Sequence, residues 1–245
     1  MKAIFLATLV LIALTSPALS AVDAVDYEID SVTYQGYFIS KTQNAPLILM
    51  IHDWDGLTDY EVKRSHMIAD LGYAVFAADM FGKGVRPTAT EDKKALTGAL
   101  YQDRAKMRKL LKGALDAAEK LGANVDNAAT IGYCFGGAVT LEHARSGANM
   151  KGFVSFHGGL STPAGQDYLQ TRGNLLILHG TADTAVTVSD FADLATELES
   201  TNIKHEMITY SGAPHAFTVF GSERYRKNAD EKSWRRFTQF LDEIF

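Results

Sequence analysis

The segment ATIGYCFGGAV at residues 129–139 contains Cys134, the only cysteine in a chain of 245 residues. An apolar run typical of a buried strand leads into it, and we predict a helix from about residue 135 to 146. A strand that turns into a helix through Gly-x-Cys-x-Gly has the spacing of a nucleophile elbow. The partial positive charge at the helix N-terminus favours a thiolate there. A buried, inert cysteine is the alternative for this segment alone.

Strands and helices alternate on both sides of this segment. Short apolar runs typical of strands lie at residues 46–52, 73–79, 151–157, 174–180 and 204–210. Helical spacing of apolar residues is found at 60–71, 91–121, 189–200 and the C-terminus, and residues 25–40 have the alternation of a β-hairpin. This pattern predicts an α/β fold with a mostly parallel sheet and helices on both faces. Residues 21–245 contain no repeat or compositional break and are predicted to form one domain.

The N-terminus has the pattern of a secretory signal peptide. Lys2 precedes an apolar run at residues 4–14, and the small residues Ala18 and Ser20 precede the predicted cleavage site. The run is shorter than the roughly 20 residues that a membrane span needs. We therefore predict a signal peptide at 1–20, export to the periplasm or the exterior, and no membrane span after cleavage; an uncleaved anchor is the alternative.

Charge and cysteine content limit the function further. A formal net charge of -5 argues against a nucleic-acid partner, which requires a basic surface. In an oxidising compartment a single cysteine is buried and inert, paired with another chain, or kept for its reactivity.

Two further segments supply partners for a reactive Cys134. LILHGTADTAV (176–186) places Asp183 after a predicted strand, and YSGAPHAF (210–217) places His215 after the last one. The order nucleophile, acid, histidine is that of the α/β-hydrolase triad, and residues at the carboxyl ends of parallel strands meet above the sheet. We predict that His215 takes the thiol proton or holds an ion pair with the thiolate, and that Asp183 orients its imidazole.

Four motifs together resemble the dienelactone hydrolase family of α/β-hydrolases, from about residue 25 to the C-terminus. They are LILMIHDWDGL (47–57), GYCFGG (132–137), HGTAD (179–183) and GAPHAF (212–217). The family has a glutamate after an early strand that accepts the thiol proton as substrate binds, and the shorter Asp53 stands at that place here; the alternative is that Asp53 only caps the following loop. The resemblance also implies an oxyanion hole formed by the backbone N–H groups of Trp54 and Phe135, with the Trp54 side chain lining the pocket.

Family members that act on dienelactones hold the substrate carboxylate with two arginines. Arg86, in FGKGVRP (81–87), stands where one of them is expected, with a solvated loop residue as the alternative; Val219 occupies the other position, four residues after His215. Valine cannot replace a bidentate arginine contact, so we expect a substrate other than dienelactone.

Three histidines remain that follow or end strands; His157 could face the site, but we expect it to make a structural hydrogen bond, and the same two interpretations apply to His52. His52, His157 and His179 have no recognisable zinc spacing, so we predict no metal, and the resemblance implies no cofactor. The sequence therefore predicts a hydrolase that cleaves a small carboxylic ester, lactone or thioester through an acyl-thiol intermediate. Two alternatives stay open: a non-catalytic binding protein on the same scaffold, and a redox protein that uses its lone thiol without a resolving cysteine.

Overall fold

The computed structural model describes the backbone of residues 22–245 and the side chains from residue 24 onwards. The predicted signal peptide, residues 1–20, lies outside the described residues. The strands are β1 (Val22–Ile29), β2 (Val32–Ile39), β3 (Pro46–Ile51), β4 (Ala74–Ala78), β5 (Asn124–Tyr133), β6 (Asn149–Phe156), β7 (Arg172–Gly180) and β8 (His205–Tyr210). The helices are α1 (Asp59–Ala69), α2 (Thr90–Gln102), α3 (Arg104–Lys120), α4 (Phe135–Arg145), α5 (Val188–Glu199) and α6 (Lys227–Ile244).

All eight strands belong to one sheet with the order β1-β2-β4-β3-β5-β6-β7-β8. The hairpin β1-β2 joins β4 in antiparallel fashion, and every pairing from β4 to β8 is parallel. Parallel pairing requires a crossover between strands, which explains why helices separate most of them along the chain. The predicted α/β fold with a mostly parallel sheet is confirmed.

Two apolar layers cover the sheet, one on each face. Because successive side chains of a strand point to opposite faces, Leu47, Leu49 and Ile51 of β3 pack in one layer while Ile48 and Met50 pack in the other. Helices α2 to α5 contribute to the first layer, and α1 and α6 to the second. Strands buried on both faces explain the continuous apolar runs in the sequence.

The long helix predicted over residues 91–121 is two helices. Asp103 has φ -112° and ψ 78°, which interrupts the helical backbone, and its carboxylate accepts a hydrogen bond from the N–H of Lys106 as the N-cap of α3. Aspartate favours this position because its short side chain satisfies an N–H at the helix start. The predicted apolar stripe of the second part is buried as expected, with Met107, Leu110 and Leu111 facing the core.

Between residues 22 and 245, none of the helices has the combination of length and apolar character that crossing a membrane requires.

Candidate active site

Cys134 lies at the carboxyl edge of the sheet, in the single-residue connection between β5 and α4. Its backbone has φ 53° and ψ -113°, a conformation that is costly for a residue with a side chain. The turn leaves no room on either side: a Cβ on Gly132 would lie 2.0 Å from Gly136 O, and a Cβ on Gly136 would lie 2.2 Å from Ile51 O. The two glycines of the motif are therefore required by close backbone contacts, as a nucleophile elbow demands.

The predicted partners of Cys134 meet it at this edge. His215 Nε2 lies 3.0 Å from Cys134 Sγ, and His215 Nδ1 lies 2.7 Å from Asp183 Oδ2. The second carboxylate oxygen of Asp183 accepts the backbone N–H groups of Ala185 and Val186, each at 2.9 Å. The carboxylate is thereby fixed, and it orients the imidazole so that Nε2 faces the sulfur.

The pKa values of Asp183 and His215 are both shifted so that the charged form of each residue is favoured. Burial alone would raise the pKa of Asp183, but hydrogen bonds from His215 and from the N–H of Val186 lower it below its ordinary value. Burial likewise opposes charge on His215, yet its hydrogen bonds to Asp183 and Cys134 raise its pKa to about 10. The arrangement stabilises an imidazolium between a carboxylate and a sulfur, which suits proton transfer to and from the sulfur side.

A cavity of about 480 Å³ opens above Cys134 and His215. The side chains of Trp54, Tyr101 and Phe135 supply much of its wall, with Asp53 among the polar residues that line it. The ammonium of Lys93 lies 5.1 Å from the centroid of the Trp54 ring. A small apolar-walled cavity with a few polar groups at one point is typical of a site for a small organic ligand.

Residues 34–245 match the family model described as the dienelactone hydrolase family. The chain belongs to the dienelactone hydrolase family. It is 29% identical to the solved structure named m3DLH, with a TM-score of 0.84 over 91% of this chain and 97% of that one. It is also 29% identical to a dienelactone hydrolase-like promiscuous phosphotriesterase from metagenomic libraries, with a TM-score of 0.83 over the same shares of the two chains.

A curated relative gives the same result. The chain is 22% identical to a protein of Escherichia coli (strain K12) named as a candidate carboxymethylenebutenolidase, over 80% of this chain and 76% of the relative. Membership of the dienelactone hydrolase family and these similarities identify the chain as a hydrolase of carboxylic ester or lactone bonds.

The two N–H groups expected to form the oxyanion hole of this dienelactone hydrolase family member are available. Among residues 22–245, neither the N–H of Trp54 nor that of Phe135 donates to a backbone carbonyl. Within the same range, no side chain caps the N-terminus of helix α4. Free N–H groups at a helix start favour negative charge, so this end of α4 is suited to bind an oxyanion.

Asp53, expected at the place of the family glutamate, lines the cavity, and among the described residues no hydrogen bond joins it to the Cys134 thiol. Its Oδ1 accepts the N–H of Asp55 at 2.8 Å, and the hydrogen bond of Cys134 Sγ within the described part of the chain is to His215. Burial raises the pKa of Asp53 to about 6, despite that N–H and the attraction of Lys93. The shorter acid therefore lies near the site and loses its proton as the pH rises through about 6, without a hydrogen bond to Cys134 Sγ in this structure.

Arg86 does not reach the cavity, which corrects the expectation that it binds substrate. Its guanidinium donates to the backbone carbonyls of Leu57 and, at 2.8 Å, Val85, and it lies 3.7 Å from the fully buried carboxylate of Asp79. A buried carboxylate is costly without a nearby cation, so the attraction of Asp79 favours this position of the Arg86 guanidinium. Its contacts brace the loop that carries Trp54 and Leu57.

Arg224, which the sequence reasoning missed, lines the cavity instead. Its side chain is exposed, and it forms no ion pair with another residue of the described range. It lies nine residues after His215, in ERYRK (223–227), where no motif marks it as a site residue. The only signal in the sequence was a basic loop close to the predicted histidine.

The other histidines make hydrogen bonds within the protein. His52 Nε2 accepts the N–H of Met80 at 3.1 Å, so its Nδ1–H donates to Asp53 O at 2.5 Å. His179 Nε2 lies 3.0 Å from Val186 O. No group of three or more His, Cys, Asp or Glu residues within the described range could hold a metal ion.

Proposed function

We propose that this hydrolase cleaves a small ester, lactone or thioester through a Cys134–His215–Asp183 triad and an acyl-thiol intermediate. The observation that carries the proposal is the continuous contact from Asp183 Oδ2 through His215 to Cys134 Sγ, with separations of 2.7 and 3.0 Å. Its position at the floor of an apolar-walled cavity supports the proposal further. A nucleophile, a base within hydrogen-bond reach and a group that orients the base are the parts that acyl transfer requires.

The chemistry proceeds in two halves. Cys134 Sγ attacks the carbonyl carbon as His215 holds the thiol proton, and the oxyanion is bound by the N–H groups of Trp54 and Phe135. The bond to the leaving group breaks, and the leaving oxygen or sulfur takes the proton from His215. Water then attacks the acyl carbon and gives a proton to His215; the C–S bond breaks, the acid leaves, and His215 returns the proton to Cys134 Sγ.

Asp53 assists this cycle in the proposal by electrostatics. The positive charge of His215 favours the carboxylate form of Asp53, although burial raises the pKa of Asp53 to about 6. When substrate fills the cavity, water is displaced and the attraction between these two charges strengthens. Asp53 would then hold His215 in its protonated form, and Cys134 as thiolate, at the moment of attack.

The cavity supports a small substrate. Its volume of about 480 Å³ lies in the lower part of the range for ligand pockets, and three aromatic side chains line it. We infer an acyl group of a few carbons, with the leaving group directed to the exposed rim where Arg224 lies. Export of the mature chain, residues 21–245, belongs to the same proposal and is supported by the N-terminal sequence pattern.

A substrate panel tests the proposal. Esters, lactones and thioesters of graded acyl length would be assayed with the wild type, Cys134→Ser and Cys134→Ala, with rapid-mixing detection of p-nitrophenol from p-nitrophenyl acetate. We expect a burst followed by steady turnover, an acetyl group on the Cys134 peptide by mass spectrometry, and a loss of about 10³-fold or more in Cys134→Ala. Paraoxon belongs in the panel because a relative of 29% identity is named as a phosphotriesterase.

The alternatives give different results in the same panel. A binding protein on this scaffold would bind ligands without turnover, and a redox protein would form mixed disulfides without ester hydrolysis. Turnover in Cys134→Ala equal to that of the wild type would refute the triad. Export is tested separately, by sequencing the N-terminus of the protein recovered outside the cytoplasm; a chain that still begins at Met1 and remains in the cytoplasm would contradict it.

A further inference from the structure

A chain of buried hydrogen bonds runs behind Cys134 and takes no part in the proposed chemistry. His157 Nδ1 lies 3.2 Å from the backbone N of Cys134, and His157 Nε2 lies 2.8 Å from Thr218 Oγ1. Thr218 Oγ1 lies 2.7 Å from the hydroxyl of Tyr60 on helix α1. His157 and Thr218 are completely buried, so each of these bonds is made away from solvent.

The direction of these hydrogen bonds fixes the state of His157. The N–H of Cys134 can only donate, so Nδ1 of His157 accepts, and the proton of the neutral ring is on Nε2, which donates to Thr218. Burial first, and then the charge of His215, lower the pKa of His157 well below its ordinary value. His157 therefore stays neutral and keeps Nδ1 free as an acceptor while His215 gains and loses its proton.

The chain connects the two reacting residues through their backbones. Cys134, with φ 53°, has its N–H between two acceptors, Phe156 O at 3.0 Å and His157 Nδ1, and His157 itself has φ 41°. Strained backbone of this kind persists only where the surrounding contacts over-determine it. Thr218 lies three residues after His215 in the same loop, so His157 joins the backbone of the nucleophile to the loop that carries its base.

The far end of the chain is anchored by a buried cation. The guanidinium of Arg64 on α1 donates to Thr218 O at 2.8 Å and to the Tyr60 hydroxyl at 3.3 Å, and it forms an ion pair with Asp230 of α6. Thr218 is thus held by both its hydroxyl and its carbonyl. The loop after His215 is attached to two helices of the second apolar layer rather than left to solvent.

We propose that His157 and Thr218 are positioning residues that set the distance between Cys134 Sγ and His215 Nε2, given the proposed role of Cys134 as nucleophile. In this proposal neither residue contacts the substrate. The ring of His157 also packs edge-to-face against the ring of His215, with the centroids 5.4 Å apart, so His157 positions the base directly as well as through Thr218. Their hydrogen bond transmits the position of the His215 loop to the elbow. Because a displacement of about 1 Å can reduce the rate of an oriented reaction by about 10²-fold, loss of this bond lowers reactivity without altering the cavity wall.

Thr218→Val is the sharpest test, since valine keeps the shape of threonine and removes only the hydroxyl. Thr218→Ser restores the hydroxyl. A matched control exists in Thr130→Val: Thr130 and His143 form a second buried pair of the same type, 2.9 Å apart, away from the cavity. The measurements are the rate of Cys134 alkylation by iodoacetamide without substrate, kcat and KM for the best ester, and the melting temperature.

We expect Thr218→Val to lower kcat and the alkylation rate about tenfold with KM unchanged, and Thr218→Ser to recover most of both rates. Thr130→Val should lower the melting temperature by a similar amount while both rates stay at the wild-type value. The positioning role is overturned if Thr218→Val alkylates and turns over like Thr130→Val. That failure differs from failure of the proposed function, in which Cys134→Ala would retain turnover.

Discussion

Helix α4 is buried at both ends, but within the described range the polar groups of its C-terminal end are paired, whereas backbone N–H groups at its N-terminal end are not. At the C-terminal end, Glu142 is completely buried and accepts from Arg108 at 2.6 Å, Arg145 at 3.1 Å and Gln166 at 3.2 Å. At the N-terminal end, Cys134 has a strained backbone and the helix has no side-chain cap. One end pairs its buried charge several times, and the other leaves the N–H of Phe135 without a hydrogen-bond acceptor among residues 22–245.

The contrast separates stability from chemistry within a single helix. Buried charges are tolerated only when they are paired, which accounts for the cluster around Glu142. Unpaired donors and strained backbone are unfavourable for folding but are useful where a ligand supplies the missing partner. We therefore expect substitutions at the N-terminal end to change turnover far more than folding, and substitutions at the C-terminal end to do the reverse.

Asp183→Asn should have the largest effect on turnover of the substitutions considered in this comparison. The amide no longer secures the His215 Nδ1–H, and loss of the carboxylate lowers the pKa of His215 from about 10. By analogy with other triads in which this acid becomes an amide, we expect kcat/KM to fall about 10³- to 10⁴-fold. Steady-state kinetics measures the first effect, and titration of the His215 ring by NMR measures the second.

The contradicting result for this prediction is specific. A variant that loses activity because its loop has rearranged would also show a lower melting temperature. A folded Asp183→Asn protein with wild-type kcat/KM would mean that His215 needs no carboxylate partner. The ion pair of Asp183 and His215 beside the N-terminal end of α4 would then serve folding, like the ion pairs of Glu142, rather than turnover.

Asp53→Asn tests a titrating carboxyl group that lines the cavity and is not part of the proposed triad. Because the pKa of Asp53 is raised to about 6, its carboxylate forms as the pH rises through that value. We expect wild-type kcat/KM to increase across this range, and the asparagine variant to lack that increase and to be about 10- to 100-fold slower at pH 8. An unchanged pH–rate profile in the variant would remove Asp53 from the mechanism.

Asp53→Asn should raise the free energy of unfolding at pH 8, although it lowers kcat/KM at the same pH. A carboxyl group whose folded pKa is raised from 3.8 to about 6 contributes stability that is full below pH 3.8 and is lost as the pH rises through 6. Asparagine has no such loss, so Asp53→Asn should be more stable than the wild type at pH 8 and should show less dependence on pH in urea unfolding. Equal unfolding curves at pH 8 would contradict the desolvation that raises this pKa.

The elbow and its partners could be predicted because their signals are local. Glycines at fixed spacing mark the turn around Cys134, and Asp183 and His215 follow apolar strands, whose carboxyl ends meet at one edge of a parallel sheet. The sheet itself follows from continuous apolar runs separated by helices. These inferences need no knowledge of which side chains touch across the fold.

The incorrect or missing parts depend on contacts between distant segments. Arg86 was expected at the substrate, but the buried carboxylate of Asp79 and the carbonyl of Leu57 hold its guanidinium elsewhere. Arg224 lines the cavity because of how the loop after β8 packs, which has no periodic signal. The helix over 91–121 was predicted as continuous because its apolar residues keep helical spacing on both sides of Asp103, where the backbone leaves the helical conformation.

Glu142→Gln should have the smallest effect on turnover and a large one on folding. The amide cannot balance the guanidinium groups of Arg108 and Arg145, and breaking a buried ion pair costs about 3–5 kcal/mol of unfolding free energy. Asp116→Asn is the control, because its exposed ion pair with Lys112 contributes only about 0–1 kcal/mol. Urea unfolding measures these losses of stability. The kcat of each variant, measured under conditions where the variant is folded, should lie within about twofold of the wild-type value. A fall of tenfold in the kcat of folded Glu142→Gln would mean that the ion-pair cluster also positions the elbow through the helix, and that the two ends of α4 are not independent.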